Sequence, residues 1–141
     1  MTETPVPDDH HVTRLCGASH IRSDGVVSFT AFCPRPGEAY LSVNWLEYLH
    51  STDEAAALAE IRRVLATKRK VGSNARLAIL RVSDAKAAVR AASGDRLALD
   101  VTHEPEPDDP SHSGMYGVPI EAMDIQEALA EAIQRLTEAR K

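Results

Sequence analysis

The chain has 141 residues, of which 43% are hydrophobic and 26% charged, with a formal net charge of −5. This size and composition predict one globular domain that needs no disulfide or metal to hold its core. The acidic balance disfavours non-specific nucleic-acid binding, which needs a basic face, and no apolar run approaches the roughly 20 residues of a membrane span.

The N-terminal residues 1–11 combine proline, acidic and polar residues, and this composition predicts a flexible leader. Two extended stretches follow, over about 12–21 and 26–32. The Asp24-Gly25 pair between them is a strong tight-turn signal. We therefore expect an antiparallel hairpin at the start of the domain.

Cys16 lies in the first of these stretches and Cys33 directly follows the second, at a spacing that matches neither a redox pair nor a zinc motif. The chain also lacks the charged, apolar and small-residue order of a signal peptide. Both features are typical of a protein from a reducing compartment, so we expect free thiols and a cytoplasmic location. Abundant Ala and Arg with little Lys are typical of GC-rich bacterial genomes.

The next element is a strand over 41–45, predicted by the alternation of apolar and polar residues, with a short helix over 45–49 as the alternative. Trp45 is expected to fill the core because the chain has few other aromatic residues. Tyr40 and Tyr48 are less constrained. Since tyrosine is enriched in protein interfaces, we expect the Tyr40–Tyr48 stretch to form part of a binding surface.

The best-marked element is a helix over about 52–70. Ser51 and Glu54 have the spacing of a capping box at its start. The basic residues 68–70 lie in its last turn, where they oppose the negative end of the helix dipole. This explanation favours a structural role for the basic run over a nucleic-acid site.

The second half of the chain predicts a strand over 76–82, a short helix over 83–92 and a strand over 97–101, which is compatible with a parallel βαβ crossover. A last helix is predicted over about 124–139. Taken together, the patterns predict an α+β or α/β domain over 12–141. Its expected architecture is a mixed sheet of four or five strands with three helices.

The segment 103–119 breaks this regularity because it holds four prolines and two glycines, which disfavour strands and helices. Loops longer than about 12–15 residues are typically functional or disordered. Residues 103–109 have the acidic, proline-rich composition of disorder. Residues 110–117 carry a histidine, hydroxyls and a tyrosine among glycines, so we place the candidate site there.

Two histidines in this segment, His103 and His112, are the candidate catalytic residues, because imidazole exchanges protons near neutral pH. The acidic residues between them are of metal-binding type, but their spacing matches no metal motif. No nucleophile elbow or phosphate loop accompanies them. The sequence therefore requires no metal and leaves any other cofactor unknown.

Two functional classes remain open. In the first, the protein is an accessory domain that binds another protein through 103–119 and the Tyr40–Tyr48 surface. The candidate contact residues are Ser111, Ser113, Met115, Tyr116, Tyr40 and Tyr48. In the second, it is a small hydrolase or transferase, with or without a metal ion, that uses His103 and His112. The missing catalytic signatures favour the first class, and homo-oligomer formation is left open.

Overall fold

The computed structural model describes residues 4–49 and 52–140. This part of the chain holds seven strands and four α-helices. The strands are β1 (Thr4–Pro5), β2 (His11–Cys16), β3 (Leu41–Trp45), β4 (Arg76–Arg81), β5 (Asp100–His103), β6 (His112–Tyr116) and β7 (Arg135–Glu138). The α-helices are α1 (Leu46–Leu49), α2 (Glu54–Lys68), α3 (Val82–Ala92) and α4 (Met123–Glu131). Two short 3-10 helices cover Ala18–His20 and Phe29–Phe32.

The seven strands form one sheet in the order β1-β5-β6-β3-β2-β4-β7, and every neighbouring pair is antiparallel. The chain is one α+β domain, but the expected mixed sheet of four or five strands with three helices is wrong. β4 and β5, the two strands of the expected crossover, run in the same direction. However, β2, β3 and β6 lie between them, so no parallel pair forms.

The expected N-terminal hairpin is also absent, because β2 pairs with β3 and β4 instead. The tight turn itself is present: Gly25 has a φ of 85°, and the Asp24 carboxylate accepts a hydrogen bond from the Val26 amide. Beyond the turn, the only ladder contact is an isolated bridge between Ile21 and Val27. The longer ladder with β4 satisfies more backbone groups of β2 than this hairpin would.

The N-terminal segment that we expected to be flexible joins the sheet over the part that is described. Thr4 pairs with His103, and the Val6 amide donates to the Val101 carbonyl at 2.9 Å. Val6 is 1% exposed. The free edge of β5 and a gap in the core thus bind a stretch whose composition favours disorder.

The last predicted helix is divided in two. α4 ends at Glu131, and the chain then extends as β7 along the outer edge of β4. The Gln134 amide begins this contact by donating to the Ile79 carbonyl at 2.8 Å. The edge of β4 offers unpaired backbone groups, and pairing with it outweighs the helical periodicity of the sequence. Leu136 is consequently 37% exposed instead of facing the core.

The segment 103–119 is partly regular, because residues 103 and 112–116 lie in strands. β5 and β6 form an antiparallel hairpin, and the irregular connection shrinks to residues 104–111. Prolines 105, 107 and 110 all fall in that connection, where Glu106 and Asp109 form an isolated bridge. The prolines therefore interrupt the ladder only where the chain turns.

Helices cover both faces of the sheet. α3 and α4 lie on one face, and their apolar residues join the larger core cluster with Val12, Leu80 and Met115. α2 lies on the other face, which we call the α2 face, and packs against Leu77 and Ile79. Among the described residues, no helix is both long enough and apolar enough to cross a membrane.

The close contact between Gly117, just after β6, and the backbone of Ala98 can be tested by substitution. Gly117 has a φ of 105°, and a Cβ there would lie 2.7 Å from the backbone oxygen of Ala98. Because that oxygen belongs to a neighbouring backbone, Gly117→Ala should lower the free energy of unfolding by about 2 kcal/mol or more. Urea unfolding measures this loss. Gly72→Ala is the control, since a Cβ at Gly72 meets nothing within 4 Å; equal stability of the two variants would contradict the packing.

Candidate functional site

The α2 face changes character along the sheet. Over β4 it is apolar, with Leu77 and Ile79, whereas over β3 and β6 it carries Ser42, Asn44 and His112. β2, between β3 and β4, contributes Leu15 and the buried Thr13. The alternation of a strand places the three polar residues of β3 and β6 on one face, while Val43 and Met115 point into the core on the other. A polar stretch on a partly covered sheet face must either be paired internally or serve a ligand.

Part of this stretch is paired internally. The Lys68 ammonium at the end of α2 donates to Glu106 and to Asp109, each at 2.9 Å. The Asn44 amide donates to the other oxygen of Asp109 at 2.8 Å and to the Ser111 hydroxyl at 2.9 Å. Asp109 is 1% exposed. These bonds fasten the β5–β6 connection to the end of α2. We call the bonded group of Lys68, Glu106, Asp109, Asn44 and Ser111 the network.

The pKa values of Lys68 and Glu106 reflect these hydrogen bonds. Burial acts to lower the pKa of Lys68, but its hydrogen bonds to Glu106 and Asp109 prevail, and its pKa is raised. The bond from Lys68 in turn lowers the pKa of Glu106 below its ordinary value. The network is therefore strongest when the carboxylates are ionised and the amine is protonated.

His112 holds a second set of bonds beside the network. Its Nδ1 lies 2.9 Å from the Glu104 carbonyl, which accepts only, so we assign the proton to Nδ1. Its Nε2 then accepts from the Ser42 hydroxyl at 3.3 Å. His112 is 4% exposed, whereas Ser42 is exposed. The serine hydroxyl therefore faces solvent, and the imidazole of His112 lies behind it.

A cleft of about 460 Å³ opens over these residues. It lies between the end of α2, the end of β2 and the 3-10 helix at Ala18–His20. Ser42, Asn44, Asp109 and His112 line one side. This volume falls within the roughly 300–1,000 Å³ of small-molecule sites.

The charge of the cleft is opposite to that of the chain. Its lining holds five cationic side chains and the single carboxylate of Asp109. The cations are Arg14, Arg35, Lys68, Arg69 and Lys70. We call this site the basic cleft. Because the whole chain carries a net charge of −5, so many cations around one opening form a local exception.

Arg14 occupies the place where the sheet splits. The pairing of β2 with β3 stops at Thr13 and Asn44, and beyond it the Arg14 guanidinium donates to the carbonyls of Ala31 and Ser42. Burial lowers the pKa of Arg14; the charges of Cys16 and Glu38 act to raise it, and those of Arg69 and Arg35 act to lower it. The like charges thus lie close enough to repel one another.

Neighbouring groups record the same positive field. Burial lowers the pKa of His20, and Arg14 and Arg35 lower it further. Three of the cations, Arg35, Arg69 and Lys70, are exposed. Within residues 4–49 and 52–140, none of these three side chains forms an ion pair or a hydrogen bond. They are therefore available to bind an anion.

The second candidate histidine lies elsewhere. His103 pairs with Ser113 in the ladder, so their side chains share one face of the sheet. Because neighbouring residues of a strand point to opposite faces, His112 lies on the other face. The Nε2 of His103 lies 2.7 Å from the Pro110 carbonyl, and its ring lies 4.4 Å from that of Tyr48. The structure does not place the two histidines in one cleft, and their joint role in catalysis stays a prediction.

The candidate contact residues are dispersed as well. Ser113 and Met115 are fully buried, and Ser111 belongs to the network around Asp109. Tyr48 is 43% exposed and packs with His103 and Trp45.

The other two tyrosines lie on the α2 face. Tyr40 and Tyr116 have ring centres 5.1 Å apart. A Cβ on Gly114 would lie 2.8 Å from the Tyr116 ring and 3.1 Å from that of Tyr40, so the glycine makes room for both rings. Tyr40 and Tyr48 therefore belong to separate aromatic groups, and the Tyr40–Tyr48 stretch does not form one continuous surface.

Sequence reasoning missed Arg14, Arg35, Ser42 and Asn44. Arginine within the apolar stretch that became β2 was the one local signal, because a buried cation needs partners. Ser42 and Asn44 fit the polar positions of a half-buried strand, so their pattern indicated solvent instead of a site. Lys68 matched a helix-end charge, and its contacts with residues 106 and 109 depend on the fold.

Comparison of the chain with family models, curated proteins and solved structures gives no match. Over residues 4–49 and 52–140, no group of three His, Cys, Asp or Glu side chains is arranged to hold a metal ion. In the acidic connection, Glu106 and Asp109 instead bind Lys68. The function is therefore inferred from the geometry of the basic cleft.

Removal of the Lys68 ammonium tests the network. Lys68→Met leaves the Asp109 carboxylate buried without its cation, and the free energy of unfolding should fall by about 3 kcal/mol. Lys86→Met removes a lysine from an exposed pair with Asp8 and should cost no more than about 1 kcal/mol. Chemical unfolding at neutral pH measures both losses; a Lys68 variant as stable as the Lys86 variant would contradict the network.

A comparison of the wild-type protein with Lys68→Met gives a pH test. The lowered pKa of Glu106 stabilises the fold above its ordinary value of 4.5, and this contribution is lost as the pH falls through the folded-state pKa. Lys68→Met removes the main cause of that shift. The stability difference between wild type and variant should therefore shrink as the pH drops below about 4.5. A difference that is constant from pH 7 to pH 3 would contradict this assignment.

Proposed function

We propose that the protein binds a small, multiply charged anion in the basic cleft, and that a phosphoryl group is the chemistry that fits best. The single observation that carries the proposal is the lining of five cationic side chains against one carboxylate, in a chain of net charge −5. That carboxylate is already compensated by Lys68. Glu106 and Glu38 lie near Lys68 and Arg14, but cations still outnumber carboxylates around the cleft.

The chemistry of the cations favours a phosphoryl group over a simple carboxylate. Guanidinium groups offer several N–H donors in a plane and match the geometry of phosphate oxygens, while ammonium groups act as point charges. The basic cleft has both kinds, from Arg35 and Arg69 and from Lys70. The exposed hydroxyl of Ser42 supplies a neutral polar group beside them.

This proposal retains the binding role that the sequence suggested, but it changes the ligand and the surface. His112 and Asp109 line the basic cleft, so part of the segment 103–119 takes part. The protein-binding surface expected from the sequence is not continuous, because Met115 is buried and the tyrosines lie in separate groups.

A cytoplasmic location is part of the same proposal. Cys16 and Cys33 are free thiols, and unpaired cysteines are typical of reducing compartments. Burial raises the pKa of the Cys16 thiol to about 11, so this thiol stays protonated and unreactive.

Calorimetric titration with inorganic pyrophosphate tests the proposal. We expect saturable binding that weakens as the salt concentration rises. Arg35→Ala and Lys70→Ala should each weaken it roughly tenfold, since each removes a charged hydrogen-bond donor. The control is Arg90→Ala, which removes an exposed arginine from α3 on the other face of the sheet. Absence of binding, or equal losses for all three variants, would refute an anion site here.

A second candidate function is hydrolysis of an anionic ester, and the bond from Ser42 to His112 favours it. In such a reaction the Ser42 oxygen attacks the ester carbonyl while His112 Nε2 accepts the hydroxyl proton. That proton then passes to the departing alcohol oxygen, and water repeats the sequence to release the acid and restore the serine. The basic cleft would hold the anionic end of the substrate.

The test for this second function is release of 4-nitrophenol from mono-4-nitrophenyl succinate. If Ser42 is the nucleophile, Ser42→Ala should abolish turnover while the melting temperature stays near wild type. Ser19→Ala, a change at another serine of the same cleft, is the matched control. Turnover that survives Ser42→Ala would exclude the mechanism without affecting the anion-binding proposal.

A further inference from the structure

A second opening lies on the outer side of α2 and is larger than the basic cleft. It has a volume of about 880 Å³ and runs between α2 and the end of β7. Its apolar lining consists of Ala55, Leu58, Ala59, Ala66, Val71 and Ala139. We call it the α2 groove. None of the residues proposed for catalysis or selected from 103–119 takes part in it.

The alanines of the α2 groove are arranged along one side of the helix. Ala55, Ala59 and Ala66 are four and seven positions apart, which is the spacing of residues on one helix face, and all three are exposed. Alanine side chains are short, so another helix can approach the α2 backbone closely along this line. α2 has 15 residues, a length of about 22 Å, which offers roughly four turns for such a contact.

The charged residues around the α2 groove are all basic. They are Arg62, Arg63, Arg69, Lys70 and Arg140, and within residues 4–49 and 52–140 no carboxylate lines the groove. Some of this charge is already used: Arg62 donates to the Glu138 carbonyl at 2.7 Å, and Arg63 pairs with Glu60. Within residues 4–49 and 52–140, Arg69, Lys70 and Arg140 form no ion pair, and all three are exposed.

We propose that the α2 groove docks an acidic amphipathic helix from a partner protein. The apolar face of that helix would lie on the alanines, and its glutamate or aspartate residues would pair with Arg69, Lys70 and Arg140. Charge complementarity selects this occupant, because the groove is basic on a chain that is acidic overall. A second copy of the chain is also acidic overall. It would fit the groove only if it presented an acidic helix face to the alanines and the cations.

The probe is a fluorescein-labelled synthetic 18-residue peptide with leucines on one helix face and glutamates on the other. Fluorescence anisotropy should show saturable binding to the full chain. Two matched peptides serve as controls: one with lysine in place of every glutamate, and one with the original residues in scrambled order. Both should bind at least tenfold more weakly, since one loses the charge match and the other the apolar face. Equal binding of either control would overturn the proposal.

The decisive variant is Ala59→Glu, which places a bulky carboxylate on the alanine line and should weaken peptide binding at least tenfold. Its glutamate lies three and four positions before Arg62 and Arg63, so the helix itself should stay folded. Ala87→Glu makes the same change at an exposed alanine of α3 and should leave binding intact. Equal effects of the two substitutions would place the peptide elsewhere and refute docking at the α2 groove.

Two further readouts separate this proposal from its alternatives. Arg35→Ala should weaken pyrophosphate binding and spare the peptide, whereas Ala59→Glu should do the reverse, so that either site can fail alone. Sedimentation velocity of the unliganded chain should give the same monomeric mass for wild type and Ala59→Glu. A dimer that Ala59→Glu dissociates would show that a second copy fills the groove, which contradicts the acidic-helix proposal.

Discussion

A carboxylate that is 1% exposed must be compensated within the protein, and the compensation of Asp109 organises one side of this molecule. Lys68 supplies the charge and Asn44 supplies a further hydrogen bond. These partners come from α2 and β3, so one buried charge holds a helix, a central strand and the β5–β6 connection in register. The network also determines where α2 ends relative to the sheet, and the basic cleft opens at that end.

The distribution of charge follows from the same arrangement. Lys68 pairs with the carboxylates of the network. Arg69 and Lys70, the next two residues, lie outside it and are exposed. Those two residues line both the basic cleft and the α2 groove. A ligand at one opening therefore changes the local charge at the other, and the two sites share a boundary at the last turn of α2.

The polar half of the α2 face explains why a site can exist here at all. Over β4, Leu77 and Ile79 pack against α2. Over β3 and β6 the α2 face carries Ser42, Asn44 and His112 instead, and these residues line the basic cleft. The sheet continues through this region because the other face stays apolar, with Val43 and Met115 in the core. One face of the same strands thus maintains the fold while the other presents hydrogen-bonding groups.

The sequence by itself determined the elements whose evidence is local: the strand that ends at Trp45, the strand at 76–81, α2, α3 and the tight turn at Asp24-Gly25. In each, the apolar periodicity or the turn residues lie within a few positions of one another. The tertiary structure decided everything that depends on an unpaired strand edge or a distant charge. Residues 4–5, 112–116 and 135–138 are strands because they pair with the edges of β5, β3 and β4, and the contact between Lys68 and Asp109 depends on that sheet. Backbone pairing carries little side-chain signature, and a buried ion pair joins residues far apart in the chain, so neither was visible in the linear pattern.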